Sequence, residues 1–199
     1  MQKFLLKLIT LSCLLTIFSP AAMAMVWGQG KWGTGKWGNE VVQGTVTPPD
    51  GPIPESPKVR TLTGASTSTI ISAGAYKDVA SPVYGSTFTA GDIITIIAEV
   101  KPEAADVGKN GSLFVVLLSI IGGQQQWSFL NSDGNFESWN LKLGTLGAAA
   151  TKTPLEATNA ITIFEGSLQA GKHRMAIGYQ ASGGQLIYTA KAININVSN

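Results

Sequence analysis

The amino-acid sequence predicts an all-β fold, a single antiparallel β-sandwich that occupies residues 59–199. Short runs rich in β-branched and aromatic residues alternate there with clusters of glycine, asparagine, aspartate, serine and proline. Helical periodicity beyond Val59 covers no more than two turns, and its best candidate, residues 145–158, is interrupted by Pro154. About 140 residues is ample for one hydrophobic core.

Alternation of apolar and polar residues assigns the main strands of this domain. In the strand 92–100, the apolar residues at 94, 96, 98 and 100 form one face, opposite Thr95 and Glu99. Residues 113–118 are continuously apolar, which suits a central strand covered on both faces or flanked by large side chains. Residues 161–168 and 172–180 are separated by Gln169-Ala170-Gly171, which predicts that they pair as a hairpin.

The C-terminal part of the domain shows a change of phase. In the strand 172–180 we expect one face to carry His173, Met175, Ile177 and Tyr179. Ser182-Gly183-Gly184 then predicts a second hairpin. After it, Leu186 and Tyr188 are even-numbered, whereas the apolar residues from Ile193 onward are odd-numbered. A uniform strand cannot point both sets inward, so we expect a bulge or break near Lys191. The succession of short strands is typical of an immunoglobulin-like sandwich.

Residues 1–24 have the composition of a cleavable secretory signal peptide. Lys3 and Lys7 stand around the start of an apolar run of about 15 residues, and Ala22 and Ala24 precede the expected cleavage point. A membrane-spanning helix needs roughly 20 residues, so a retained anchor is the less favoured alternative. The single cysteine, Cys13, matches a lipid-attachment motif poorly, which disfavours lipoprotein processing. We therefore expect an exported protein that is periplasmic, on the cell surface or extracellular.

Two segments of unusual composition separate the signal peptide from the domain. Residues 25–45 form a Trp/Gly tail that contains the five-residue repeat WGQGKWGTGKWG. Residues 46–58 hold five of the nine prolines and predict an extended, polyproline-like spacer outside the fold.

The tryptophans of the tail are the candidate interaction residues. Trp27, Trp32 and Trp37 are equally spaced, and large apolar rings are seldom exposed without a binding partner. In an extended chain, Trp32 points to one side and the other two point to the opposite side. Such rings could stack on sugars, dock into another subunit or fold back over the domain. The alternative hypothesis is a passive leader that packs only locally.

The charge balance gives no electrostatic reason to expect nucleic acid or anionic lipid as a partner. The precursor carries 14 basic and 12 acidic residues, and loss of Lys3 and Lys7 with the signal peptide leaves 12 of each. After residue 24, no stretch approaches the length of a transmembrane helix. We therefore expect no nucleic-acid partner and no stable membrane span after cleavage.

Few residue types that support catalysis are present. His173 is the only histidine, and the mature chain would contain no cysteine, so every triad or multi-histidine metal site would depend on one imidazole. We interpret His173 as a half-buried strand residue. Paired carboxylates, as in a glycosidase, remain an open alternative, although most acidic residues fall at turns or strand ends. The acidic residues considered are Asp92, Glu99, Asp106, Asp133 and Glu165.

Two short segments resemble ligand-binding motifs without meeting their requirements. Residues 131–135, Asn-Ser-Asp-Gly-Asn, place oxygen ligands at alternate positions, but the segment has one carboxylate and lacks the later bidentate glutamate of a calcium loop. A hairpin turn is favoured there over calcium binding. Gly28, Gly30 and Gly33 match a Gly-x-Gly-x-x-Gly string without a preceding strand or a following helix. The sequence predicts no cofactor, no metal and no enzymatic activity.

Four segments carry a resemblance to a known protein family. They are TAGD at 89–92 before an Ile-rich strand, VKPEAADVGK at 100–109, NSDGNF at 131–136 and LQAGKHRMAIGY at 168–179. Over residues 67–197 the domain resembles a widespread kind of bacterial exported β-sandwich module without an established activity. The resemblance implies a sandwich in an envelope or extracellular setting, and it supplies no catalytic residues.

Three functional hypotheses follow, in order of preference. The first is a noncatalytic structural or interaction module that binds a protein partner or self-associates. The second is a carbohydrate-binding module that stacks exposed tryptophans on a polysaccharide, and the third is an enzyme. Exposed aromatic residues on one sheet face would favour sugar binding, whereas an unpaired edge strand would favour assembly.

Overall fold

The computed structural model describes residues 48–56, 58–80 and 82–199, and this part of the chain is all-β. The signal peptide and the Trp/Gly tail lie outside the described residues, so their interpretation stays a prediction. Residues 145–158, the best helical candidate, contain a strand, and a single 3-10 turn, Leu143–Thr145, overlaps their start. Within the described chain, no helix has the length and apolar character to span a bilayer.

Thirteen strands succeed one another along the described residues. They are β1 (Val59–Thr61), β2 (Ile70–Lys77), β3 (Tyr84–Gly85), β4 (Thr87–Thr89), β5 (Ile94–Lys101), β6 (Gly111–Ile121), β7 (Gln124–Leu130), β8 (Phe136–Ser138), β9 (Ala150–Lys152), β10 (Asn159–Gly166), β11 (Gly171–Ala181), β12 (Ile187–Thr189) and β13 (Ile193–Ser198).

The strands form two sheets. The smaller sheet has four strands in the order β10-β5-β2-β3, and the larger has nine, with the main order β1-β12-β11-β6-β7-β8. In the larger sheet, β12 and β13 pair with successive parts of β11, and β9 pairs with the start of β6. All these pairings are antiparallel except that of β4 with β13, which is parallel. The continuously apolar strand β6 is central, as predicted, because it is paired along both sides.

One hydrophobic core contains residues of both sheets. The predicted inward faces of β5 and β11 are confirmed, since each of their members is no more than 2% exposed. These residues are Ile94, Ile96, Ala98, Val100, His173, Met175, Ile177 and Tyr179. A core shared by two sheets is consistent with a β-sandwich, and the immunoglobulin-like arrangement stays a prediction.

The hairpin predicted between residues 161–168 and 172–180 is wrong. Strand β10 pairs with β5 in the smaller sheet, whereas β11 pairs with β6 in the larger. Residues 167–170, which include Gln169 and Ala170, therefore connect one sheet to the other. Turn-forming residues show that the chain bends, but they do not specify which strands meet. At Gly171 an added β-carbon would lie 2.7 Å from the carbonyl oxygen of Ile120, so this glycine permits the close approach of β11 to β6.

The second hairpin and the break near Lys191 are confirmed, but the change of phase is not. Strand β12 ends at Thr189, and β13 begins only at Ile193. Because Ile187 pairs with the inward-facing Tyr179, the two side chains share a face, and Ile187 is buried. Odd-numbered residues therefore face the core in both strands. The even-numbered Leu186 and Tyr188 lie on the opposite, outer face of the sheet.

The end of the proline-rich spacer belongs to the fold, which differs from the expectation of a segment outside it. The amide of Ala73 donates to the carbonyl of Pro54 at 2.9 Å, and the amide of Ser56 donates to the carbonyl of Ile71 at 2.8 Å. Proline lacks an N–H donor, but its carbonyl still accepts, so a proline-containing segment can lie along the edge of a sheet. The described chain therefore joins the smaller sheet before Val59.

Candidate functional site: an apolar groove on the larger sheet

His173 lies in the core and is 1% exposed, more deeply buried than the half-buried position expected from sequence. Its Nε2 atom lies 3.0 Å from the carbonyl oxygen of Gln169, which can only accept, so Nε2 donates. Its Nδ1 atom lies 3.0 Å from Ser119 Oγ, and in the neutral ring it accepts from that hydroxyl. Both ring nitrogens thus have partners within the protein.

Burial lowers the pKa of His173 below its ordinary value, because the charged ring loses hydration, and the hydrogen bond to Gln169 opposes this only in part. The unfolded chain binds the proton more readily, with a pKa of about 6.5, so stability should fall as the pH drops below that value. Urea unfolding of the wild type between pH 7 and pH 5 should show this loss. The double variant His173→Leu/Ser119→Ala removes both polar side chains. Its free energy of unfolding should therefore fall less between pH 7 and pH 5 than that of the wild type.

Asp92, the carboxyl whose pKa is lowered by its partners, should contribute little in this pH window. Lys77 Nζ lies 2.8 Å from Asp92, and with the Thr89 amide it lowers the pKa of Asp92 to about 2. A carboxyl whose pKa is lowered by folding stabilises the folded state. That stability is lost only as the pH falls below the unfolded pKa of about 3.9. If the free energy of unfolding falls equally for the wild type and the double variant between pH 7 and pH 5, the loss of stability is not due to His173.

The acidic residues considered from sequence occupy separate places in the fold. Asp106 Oδ2 accepts from the Tyr179 hydroxyl at 3.0 Å, and its Oδ1 pairs with Lys109 Nζ at 3.0 Å. Glu99 on β5 pairs with Lys101 Nζ at 3.1 Å, Glu165 is on β10, and Asp133 is in a turn. Within residues 48–56, 58–80 and 82–199, no three histidine, cysteine or acidic side chains form a cluster suited to a metal ion.

The calcium-like segment 131–135 forms the β7–β8 hairpin turn, as favoured from sequence. Asn131 Oδ1 accepts hydrogen bonds from the amides of Asp133 and Asn135, at 3.0 and 2.8 Å. Gly134 has a φ of 78°, a conformation that glycine adopts readily. The side-chain oxygen of Asn131 therefore stabilises the turn itself.

The main unexplained surface is an apolar groove on the outer face of the larger sheet. Its floor lies on β11, where Ala176 and Gly178 present little or no side chain. Phe114 on β6 and Tyr188 on β12 both pair with Gly178 and stand on its two sides. Small residues between two aromatic ones produce a depression in the sheet surface.

The sides of the apolar groove are formed by loops and by neighbouring strands. Trp127 on β7 and Trp139 after β8 line one part of it. Two adjoining depressions, of about 340 and 200 Å³, make up the groove. Both are lined by Leu62, Phe114, Leu143, Leu146 and Leu186. Because Leu62, Leu143 and Trp127 are 49%, 47% and 37% exposed, the groove presents apolar surface to solvent.

Thr63, Gln180 and Gln185 lie at one end of the apolar groove, and their side chains contact one another or the main chain. Thr63 Oγ1 donates to Gln185 Oε1 at 3.3 Å, and Gln180 Nε2 donates to the carbonyl of Gly184 at 2.9 Å. The indole N–H of Trp139 donates to the carbonyl of Lys142 at 3.1 Å. The groove is therefore suited to apolar side chains more than to a ligand that needs many hydrogen bonds.

Sequence reasoning did not identify this groove, although two signals for it were present. The continuous apolar run around Phe114 indicated that both faces of β6 are covered or flanked by large side chains. The even-numbered Leu186 and Tyr188 indicated a second apolar face, which was wrongly assigned to the core. Trp127 and Trp139 carried no pattern of their own. The tail residues Trp27, Trp32 and Trp37 lie outside the described residues.

No protein-family model matches the chain, and no curated protein matches it. The resemblance to an exported bacterial module therefore stays an expectation from sequence.

Proposed function

We propose that the protein is a noncatalytic interaction module of the bacterial envelope or extracellular space, which self-associates or holds a protein partner through the apolar groove. The observation that carries the proposal is the solvent-facing groove itself, because isolated apolar residues are common on surfaces but contiguous apolar patches mark binding sites. The signal-like residues 1–24 support the location.

The composition of the groove favours binding over catalysis. Among the described residues that line it, none is histidine, cysteine, lysine, aspartate or glutamate. General acid–base and nucleophilic catalysis rely mainly on such side chains. Apolar and aromatic residues, by contrast, are enriched at the centres of protein interfaces.

Carbohydrate binding is the second candidate, and the aromatic lining supports it. Trp127 is 37% exposed, and Gln180 and Gln185 stand at the polar end of the groove. A sugar offers one apolar face to a ring but also needs hydrogen bonds for its hydroxyls. The scarcity of polar atoms around Trp127 and Trp139 makes an apolar protein segment the better fit.

A groove variant tests the proposal. Leu143→Gln should weaken self-association at least about tenfold, since it places an amide in an apolar interface. Sedimentation velocity over a concentration series measures this, and Ile93→Gln is the matched control, because Ile93 is similarly exposed, at 43%, outside the groove. If the wild type stays monomeric and instead binds insoluble polysaccharide in a manner lost in Trp127→Ala, carbohydrate binding replaces the proposal.

A further inference from the structure

We infer that the apolar groove of one copy binds the tryptophan repeat, residues 27–38, of a second copy. The inference rests on the proposed function and names the ligand of its groove. The repeat offers three copies of one apolar ring, and each of Trp27, Trp32 and Trp37 is followed directly by glycine. Because glycine has no β-carbon, the backbone beside the ring can approach the sheet surface closely.

The dimensions of groove and repeat agree. Tyr188 and Phe114 both pair with Gly178, but Trp127 pairs with Leu118, four residues further along β6. Three steps between neighbouring strands and four residues along the strand together separate Tyr188 from Trp127 by about 20 Å. Six extended residues, which are one repeat unit and the residue after it, span about 19–20 Å. Such a segment can therefore cross the groove once and seat one ring beside Phe114. Successive rings point to opposite sides of an extended chain, so adjacent repeats would face different surfaces.

At residues 54–56 the described chain runs away from the groove of its own molecule, which is the arrangement expected if the tail enters the groove of a second copy. Followed backward from Ser56 to Pro54, the chain runs beside β2 toward Lys77. The groove lies toward the other end of β2, because the hydroxyl of Tyr179, next to the groove floor, contacts Thr69 at 3.2 Å. The chain thus leads away from its own groove, on the smaller sheet. A contact between the tail of one copy and the groove of another uses two different surfaces. Such contacts can therefore repeat and link more than two copies.

A complementation experiment tests this contact with the exported chain that retains its tail. The tail variant is Trp27→Ala/Trp32→Ala/Trp37→Ala, and the groove variant is Leu143→Gln. Each variant alone should self-associate at least about tenfold more weakly than the wild type. An equimolar mixture should form a heterodimer, because the intact tail of the groove variant can enter the intact groove of the tail variant.

Controls and contrary outcomes separate the inference from the proposed function. The variant Lys31→Ala/Lys36→Ala should change mainly the salt dependence of association, and equal urea midpoints should verify that Leu143→Gln is folded. A mixture that stays monomeric, or association that is independent of the three tryptophans, overturns the inference while leaving a self-associating module in place. A shift of tryptophan fluorescence in Leu143→Gln, in a protein that is monomeric at every concentration, would assign the groove to the chain's own tail and also overturn it.

Discussion

Replacing Leu113 by alanine should lower the free energy of unfolding by about 2–5 kcal/mol. Leu113 is 0% exposed and lies on β6, where it pairs with Tyr179 on β11 and with Ala150 on β9. Three strands meet at this position, so the surrounding side chains cannot close the resulting cavity without moving the sheet. Equilibrium unfolding in urea, with the slope against urea concentration checked for constancy, measures the loss.

The matched control for this substitution is Ser112→Ala on the same strand. Ser112 precedes Leu113, points to the opposite face and is only half-buried. We expect the control to change stability by less than about 0.5 kcal/mol. A loss below about 1 kcal/mol for Leu113→Ala would contradict its assignment to the shared core.

Replacing Tyr179 by phenylalanine should cost about 1–3 kcal/mol, although only one oxygen atom is removed. Its hydroxyl donates to Asp106 Oδ2 at 3.0 Å and accepts from the amide of Glu103 at 3.1 Å. It also lies 3.2 Å from the buried Thr69 Oγ1. These contacts connect β11 of the larger sheet with segments flanking β2 and β5 of the smaller sheet. Phenylalanine would remove the hydroxyl from all three partners, of which Thr69 is buried and the Glu103 amide and Asp106 are part-buried.

Burial raises the pKa of Tyr179, so the hydroxyl stays protonated and able to donate at neutral pH. Tyr188→Phe is the control, because Tyr188 is half-buried on the outer face of the sheet and should lose less than about 0.5 kcal/mol. Urea unfolding of both variants provides the comparison. Equal stabilities would show that the Tyr179 hydroxyl does not hold the two sheets together.

The sequence predictions that were right concern single strands and turns, and one that was wrong concerns the pairing of strands into a sheet. The inward faces of β5 and β11 were predicted correctly, because alternation is a local property of an extended backbone. The turns at 131–135 and 182–184 were also local, since a few polar or glycine residues specify them. The partner of β10 was predicted wrongly, because pairing depends on contacts between residues far apart in the chain.

The apolar groove could not be predicted for the same reason, because its residues are far apart in the chain. Residues from β6, β7, β11, β12 and the segments that follow β1 and β8 meet there, and no single segment of sequence contains more than a few of them. The outer position of Leu186 and Tyr188 became clear only from the register that places Ile187 opposite Tyr179. An apolar residue on a strand that is covered on both sides has no local signal that tells the two faces apart.

By itself, the sequence determined that the domain is all-β, where several strands and turns begin, and that only one histidine is present. Those properties depend on backbone period, turn chemistry and composition, which are carried by neighbouring residues. Only the tertiary structure decided that β10 and β11 belong to different sheets. It also decided that both ring nitrogens of His173 are hydrogen-bonded, to Ser119 and Gln169, and that the outer face of the larger sheet carries a groove. Each of these results requires strands distant in sequence to pack together, because the free energy that selects among pairings comes from long-range burial and hydrogen bonding.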